Sequence, residues 1–389
     1  MNGQANMKLA HTRSLAKVTS VVEIQTRRDL ARHLQVQMAA SRRNWFASSD
    51  SEEETPGRTM LKTYLLEAHH SADGDLLGPL ESASEGADLR VKPIGEEGIF
   101  HLEHSAGDFW LDTSMDRYWR MHTTVPVAVA DAVRDAMVTA TKWLDNVWLP
   151  PDYLEHFAGP AGARLLTFSL NHDRRRLNPP GKLVSDSDFV SLRLWSSDAT
   201  QPLRRLREAE VFPHGVSIRS VRVRSGSDED DGDFCVAEYF HHGKITANGT
   251  SFDEHNRLSI QALRDYRTLV ENIERKYGLA AETDAHGHPI LSGDPLVIDI
   301  DWAVADLEYA VHRIFSSAEP FRLWGLPERV NAGHYRARAV DLHFGGVLSF
   351  DITPQNVVIQ LPRRVCGNTV VRFMNNLRFH VNSDAIVPS

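Results

Sequence analysis

The chain has 389 residues, of which 42% are apolar and 24% charged, and it carries a net charge of −9. That length exceeds one small core and calls for two or three domains of ordinary globular composition. Nothing approaches the roughly 18 consecutive apolar residues of a membrane span, and the first twenty positions lack the apolar stretch of a secretory signal, so neither membrane nor export is expected.

The two cysteines, Cys235 and Cys366, are too few for a disulfide framework or a cysteine-rich zinc site. A reducing cytoplasm is the expected location, with no cofactor and no metal. Only eight of the 43 basic residues are lysine, an arginine bias that suits a GC-rich bacterial source.

Residues 1–58 read as an N-terminal appendage. It holds a helix over 26–45, with Thr26 and Asp29 spaced as a capping pair and Leu30 and Leu34 on one face. SSDSEEETPG (48–57) follows as an acidic linker. Folded structure is expected from Met60, where LKTYLLEA opens a strand. An α+β domain over 59–160 would contain a hairpin, GIFHLEH with DFWLDTSM, and a helix from Pro126 to about Trp148.

A central α+β domain is expected over 161–282. In RLLTFSLN (164–171) and DFVSLRLW (188–195) apolar and polar residues alternate, as in antiparallel strands with one wet face. A helix near 200–210, strands near 216–224 and 233–241, and a long helix over 252–278 complete it. The C-terminal domain, 283–389, runs strand (PLVIDI), helix, antiparallel strands and helix, with DLHFGGVLSFDIT (341–353) as one strand bent at Gly345-Gly346. The fold class is therefore α+β, with mostly antiparallel, curved sheets packed against helices. The element order of this last domain resembles TATA-binding-like or helix-grip domains, but it rests on no motif and so implies no function.

HHGKITANGTSFDEH (241–255) gathers three histidines, a lysine and two acids. His241 and His242 are neighbours at a strand end and should point to opposite faces, a poor start for a shared metal. Gly243 and Gly249 read as the ends of a loop, and Ser251 with Glu254 as a capping box for the long helix. Lys244 beside that helix start is a candidate anion contact. His286 and His288 lie in DAHGHP, better explained as a turn. VIDID ends in Asp299 and Asp301, of which Asp301 fits a helix N-cap. Arg117 and His122 share the spacing of some metal-independent ribonucleases, a match frequent by chance in a chain this rich in both types. GxSxG, HExxH and paired CxxC motifs do not occur.

Charge distribution is more informative. Twelve basic and six acidic residues lie between Arg164 and Arg224, which leaves the rest of the chain at −15. Arg174, Arg175, Arg176, Lys182, Arg204, Arg205, Arg222 and Arg224, with Lys244, are the candidate contacts to nucleic acid or another polyanion. The leading expectation is a binding protein with this basic face, for example a subunit of a nucleic-acid-handling complex with protein partners. A hydrolase or nuclease acting on phosphate esters through His241, His242, Asp299, Asp301 and Lys244 is the alternative, and a non-catalytic assembly subunit is another.

Overall fold

LKTYLLEA shows no polar face, and a strand of that kind has to be covered on both sides. A computed structural model describes residues 24–47, 60–69, 76–157, 163–182, 188–209, 212, 215–227 and 232–387. In it this segment is β1 (Leu61–Ala68), buried at every position. It lies inside a first sheet of eleven strands. The others are β2 (Arg90–Pro93), β3 (Ile99–His104), β4 (Gly107–Met115), β5 (Tyr118–Thr123), β6 (Leu144–Asn146), β7 (Arg164–Asp173), β8 (Phe189–Trp195), β9 (Ser217–Gly226), β10 (Phe234–Phe240) and β11 (Lys244–Gly249). From one edge the order is β2-β3-β4-β5-β1-β11-β10-β9-β7-β8, with β6 also paired to β1. The segments expected as N-terminal and central domains thus join one sheet through the antiparallel β1–β11 pair.

Helices α1 (Arg27–Ala47), α2 (Leu77–Glu85), α3 (Val127–Ala140), α4 (Pro151–Phe157) and α5 (Thr200–Glu208) accompany this sheet. On one face Leu80, Val133 and Met137 of α2 and α3 pack on Leu66, Leu102 and Met121. On the other, Leu30, Leu34 and Met38 of α1 join Leu65, Ile245 and Leu263 in the main core. The N-terminal helix is therefore part of the core and not a separate appendage. Its single apolar stripe is the physical reason, since it has nowhere else to be buried. The capping pair forms as expected, with Asp29 N–H donating to Thr26 Oγ1 and Thr26 N–H to Asp29 Oδ2, both at 3.1 Å. The acidic linker lies outside the described residues.

The long helix is α6 (Phe252–Tyr277), capped by Ser251 Oγ, which accepts from Glu254 N–H at 3.2 Å. Glu254 does not reach back, because its carboxylate is taken by Ser225 and Arg257. α6 packs against β1, β10 and β11 and also against a second sheet. That sheet is formed by β12 (Gly278–Thr283), β13 (Pro289–Ser292), β14 (Leu296–Asp299), β15 (Leu323–Gly325), β16 (Glu328–Asn331), β17 (His334–Asp341), β18 (Val347–Ile352) and β19 (Asn356–Pro362). Its order is β13-β12-β19-β18-β17-β15, with β14 on β19 and β16 on β17; only β12–β19 is parallel among the described pairs. α7 (Leu307–Ile314) and α8 (Gly367–His380) complete the fold. It is α+β, with two mostly antiparallel sheets. Among the described residues no helix is long and apolar enough to cross a membrane.

Four local expectations are corrected. The helix from Pro126 stops at Ala140, and Leu144–Asn146 leaves it to pair with β1. The apolar spacing of Trp143 and Val147 served either conformation. Lys244–Gly249 is the strand β11 and not a loop, because Ile245 and Ala247 alternate inward between β1 and β10. Gly243 makes the tight turn, since at φ +74° a Cβ there would stand 2.5 Å from the Val147 carbonyl oxygen. DLHFGGVLSFDIT is a hairpin and not a bent strand: Asp341 N–H bonds to Gly346 O, and Gly345 N–H to Asp341 O. Finally Asp306, not Asp301, caps its helix, with Oδ1 accepting from Tyr309 N–H at 3.0 Å.

Candidate functional site

β8 is an edge strand of the first sheet, and none of its residues is fully buried. Phe189 is 48% exposed and Trp195 is 55% exposed. Six residues apart on one strand, the two rings share a face and stand about 20 Å from each other. Arginine covers each ring: the Arg175 guanidinium lies 4.1 Å from the Phe189 centroid, and that of Arg193 lies 5.1 Å from Trp195. Register continues the face across β7 to β9, where Ser169 stands opposite Arg193 on one side and Ser220 on the other. Arg222 belongs to this surface, and Arg224 two residues on covers Phe234 at 4.2 Å.

Acids inside the surface take up much of its charge. Glu238, almost fully buried, accepts from Arg193 at 2.9 Å and Arg222 at 2.8 Å. Asp173 holds Arg175 at 2.8 Å. On α5, Arg204 pairs with Glu208 at 3.2 Å, while Arg205 is exposed, as is Arg176 after β7. Lys182 stands 4.0 Å from Asp306. Two expected contacts do not belong to the face. Arg174 is buried, its Nε donating to His172 Nε2 at 2.6 Å, because it turns inward at the end of β7. Lys244 is buried too, and its Nζ pairs with Asp131 at 2.9 Å. An inward position on a central strand requires that pairing.

The residues of the hydrolase alternative do not converge. His241 and His242 occupy the β10–β11 turn with ring centroids 5.0 Å apart, and His241 packs on Phe379 at 4.5 Å. Asp299 ends β14 in the second sheet and is exposed, and Asp301 follows it. His286 and His288 sit in a turn where both backbone N–H groups donate to Asp284 Oδ1 at 2.8 Å. Arg117 and His122 are engaged separately, Arg117 with Glu67 and Glu274 and His122 with Thr63.

A second constellation lies where the two sheets meet, and it contains groups no motif announced. Glu67 of β1 is fully buried; it accepts from Arg117 Nε at 2.6 Å, and its Oε2 lies 2.6 Å from Tyr266 Oη. Burial alone would raise this carboxyl, but the hydrogen bond from His69 and the charge of Arg117 hold it at about 2. Arg117 also reaches Glu274 at 2.7 Å and Cys366 Sγ at 3.2 Å. Asp145 of β6 pairs with Arg322 at 3.2 Å and with Arg372, which also binds Asp341. The Arg372 charge and the Thr369 hydroxyl outweigh burial and keep Asp341 near 2. Chemically this cluster clamps β1 and β6 of the first sheet to α8 and the β17–β18 turn of the second. It also brings Glu67, His69 and Cys366 together, with donor atoms all within 4.8 Å of one another.

The model of the MJECL33-like protein family matches residues 18–388, from before α1 to beyond α8. The chain belongs to the MJECL33-like family. It is 25% identical over 372 residues to protein MJECL33 of Methanocaldococcus jannaschii, covering 87% of this chain and 88% of that protein.

In this MJECL33-like chain one sequence signal for the clamp did exist. Glu67 follows the apolar run Tyr64-Leu65-Leu66 of β1 at a buried position, and a carboxylate there has to find cationic partners. Arg372 likewise interrupts the apolar face of α8, whose residues 370 and 371 are buried valines. Which partners they meet depends on how the sheets are assembled, and no local pattern encodes that.

Proposed function

We propose that the protein binds single-stranded nucleic acid, alone or as a subunit of a nucleic-acid-handling complex, through the outer face of β8, β7 and β9. The observation that carries this reading is the pair of exposed rings, Phe189 and Trp195, each covered by an arginine. Every base offers a π face, so rings on an open sheet edge bind unpaired bases without regard to sequence. Arg175, Arg176, Arg193, Arg222 and Arg224 stand where the backbone phosphates of a strand stacked on those rings would pass. Planar guanidiniums suit such oxygens through two parallel hydrogen bonds. A nucleic-acid ligand goes with a cytoplasmic place of action.

Because Asp173 and Glu238 already engage three of these arginines, the electrostatic contribution is moderate. About two or three phosphate contacts are expected, so log affinity should fall with log salt at a slope near −2. The test is fluorescence anisotropy of labelled single-stranded DNA, single-stranded RNA and duplex across a salt series. Single strands should bind more tightly than duplex. Replacing Arg175 and Arg176 by Ala should flatten the slope by up to about two contacts. A folded protein that binds none of the three at low salt overturns the reading and leaves the rings as a protein-docking surface.

A further inference from the structure

The geometry points to a binding site for one divalent ion of the zinc class, held by Glu67 Oε1, His69 Nε2 and Cys366 Sγ, beside the buried imidazole of His343. The three atoms form a nearly equilateral triangle. His69 Nε2 is 2.9 Å from Cys366 Sγ and 3.2 Å from Glu67 Oε1, and the sulfur is 3.3 Å from the same oxygen. Zinc stands roughly 2.0–2.3 Å from nitrogen, oxygen and sulfur ligands, so an ion roughly 1 Å above this triangle meets all three with little movement. A mixed carboxylate, imidazole and thiolate set suits zinc better than magnesium or calcium, which favour oxygen alone.

A second observation points the same way. His343 is fully buried, and neither ring nitrogen has a hydrogen-bond partner among the described residues. Its Nδ1 is 3.8 Å from the Asp145 carboxylate and 3.9 Å from that of Asp341, too far for hydrogen bonds. The ring packs on that of His69, with centroids 5.4 Å apart. A buried imidazole without partners is costly, and an ion beside His69, or a water bound to that ion, would satisfy it.

Charge balance agrees. Around the triangle, Glu67 and Glu274 face the single guanidinium of Arg117, an excess of one negative charge. A divalent ion that displaces the Cys366 thiol proton to solvent forms one metal–sulfur bond and releases one H⁺. Two positive charges then meet the excess carboxylate and the new thiolate, and the cluster becomes neutral. Arg117 is the opposing group: it donates to Glu67 Oε1 and Cys366 Sγ as well as to Glu274, and an ion on the triangle requires its guanidinium to shift onto Glu274, which it already holds through two hydrogen bonds. His69 keeps 14% of its side chain exposed, which gives the ion a route in.

The full chain, freed of metal with a chelator, is titrated with Co²⁺ and with Zn²⁺. The expected results are one equivalent bound per chain and, with cobalt, a thiolate-to-metal charge-transfer band in the near ultraviolet. Cys366→Ser is the key variant, because Ser caps a helix at least as well as Cys and α8 keeps its start. It should abolish the band and weaken zinc binding by more than the roughly 10–100-fold that changes behind a ligand cost. His69→Gln should do the same, whereas His288→Gln, in the remote turn, should change neither readout. Wild-type protein that binds no stoichiometric cobalt or zinc, or a band that survives in Cys366→Ser, overturns the proposal.

Discussion

Thr63 on β1 shows how much one hydroxyl can hold in place. Its Oγ1 lies 2.8 Å from His122 Nδ1 and 2.7 Å from His255 Nε2, and all three side chains are buried. A hydroxyl can donate to one imidazole and accept from the other, so both rings are fixed by one oxygen. Thr63→Val keeps the shape and removes both bonds, and should cost about 2–4 kcal/mol in chemical denaturation. Thr63→Ser, which keeps the oxygen, should cost clearly less. Equal losses for the two variants would show that packing, not the hydroxyl, is what matters. The spacing of Arg117 and His122, frequent by chance in this chain, corresponds to no shared site, since Arg117 engages Glu67 and Glu274 and His122 engages Thr63. Arg175, Arg222 and Arg224 were legible as cations on strands or strand ends, but their acidic partners were not, because Glu238 reaches Arg193 and Arg222 only through strand pairing.

At the level of elements, patterns confined to one segment were readable. α6 and its Ser251 cap, the β3–β4 hairpin and the alternating strands β7 and β8 follow directly from periodicity and turn chemistry. β11 escaped because only Ile245 and Ala247 mark its inner face, and its glycine-flanked composition reads as a loop. Docking of α1 escaped for another reason: its stripe is short, and its seat is formed by β1, β11 and α6, which come from distant parts of the chain. Gln35 fixes that seat, its side chain bonding the Thr250 carbonyl and the Phe252 N–H at the start of α6. A fragment beginning at Met60 should therefore lose stability or aggregate, since the surface covered by Leu30, Leu34 and Met38 becomes wet. Met38→Ala in the full chain should cost about 2–5 kcal/mol. A Met60 fragment as stable to urea as the full chain would show that α1 is an accessory.

On the scale of the whole molecule, buried titratable groups set the response to acid. His122, His255 and His380 are held neutral chiefly by burial, His255 down to about 3 and His380 to about 4, against an ordinary value of 6.5. An imidazole that protonates more readily in the unfolded chain stabilises the fold fully above about pH 6.5, and that advantage is lost as pH falls toward the folded values. Glu67 and Asp341, held near 2 against ordinary values of 4.5 and 3.8, add a second loss that starts lower and ends near pH 2. The two carboxylates contribute about 2–4 kcal/mol each at neutral pH. Urea midpoints should therefore decline already between pH 7 and 5. A flat midpoint over that interval would contradict the neutral-histidine assignment.

The sheets themselves also assign the exterior. α2 and α3 cover one face of the first sheet near β1 and α1 and α6 the other, whereas β8 lies at the far edge with Phe189 and Trp195 about half exposed beside their arginines. We propose that these two rings carry nucleic-acid binding. The most direct test compares wild-type protein with the Phe189→Ala, Trp195→Ala double variant for affinity to labelled single-stranded oligonucleotide at low salt. Loss of each stacking ring costs about 1–3 kcal/mol, so the account predicts at least a 20-fold weakening of affinity with the salt slope unchanged. Unaltered affinity in a folded double variant would contradict it.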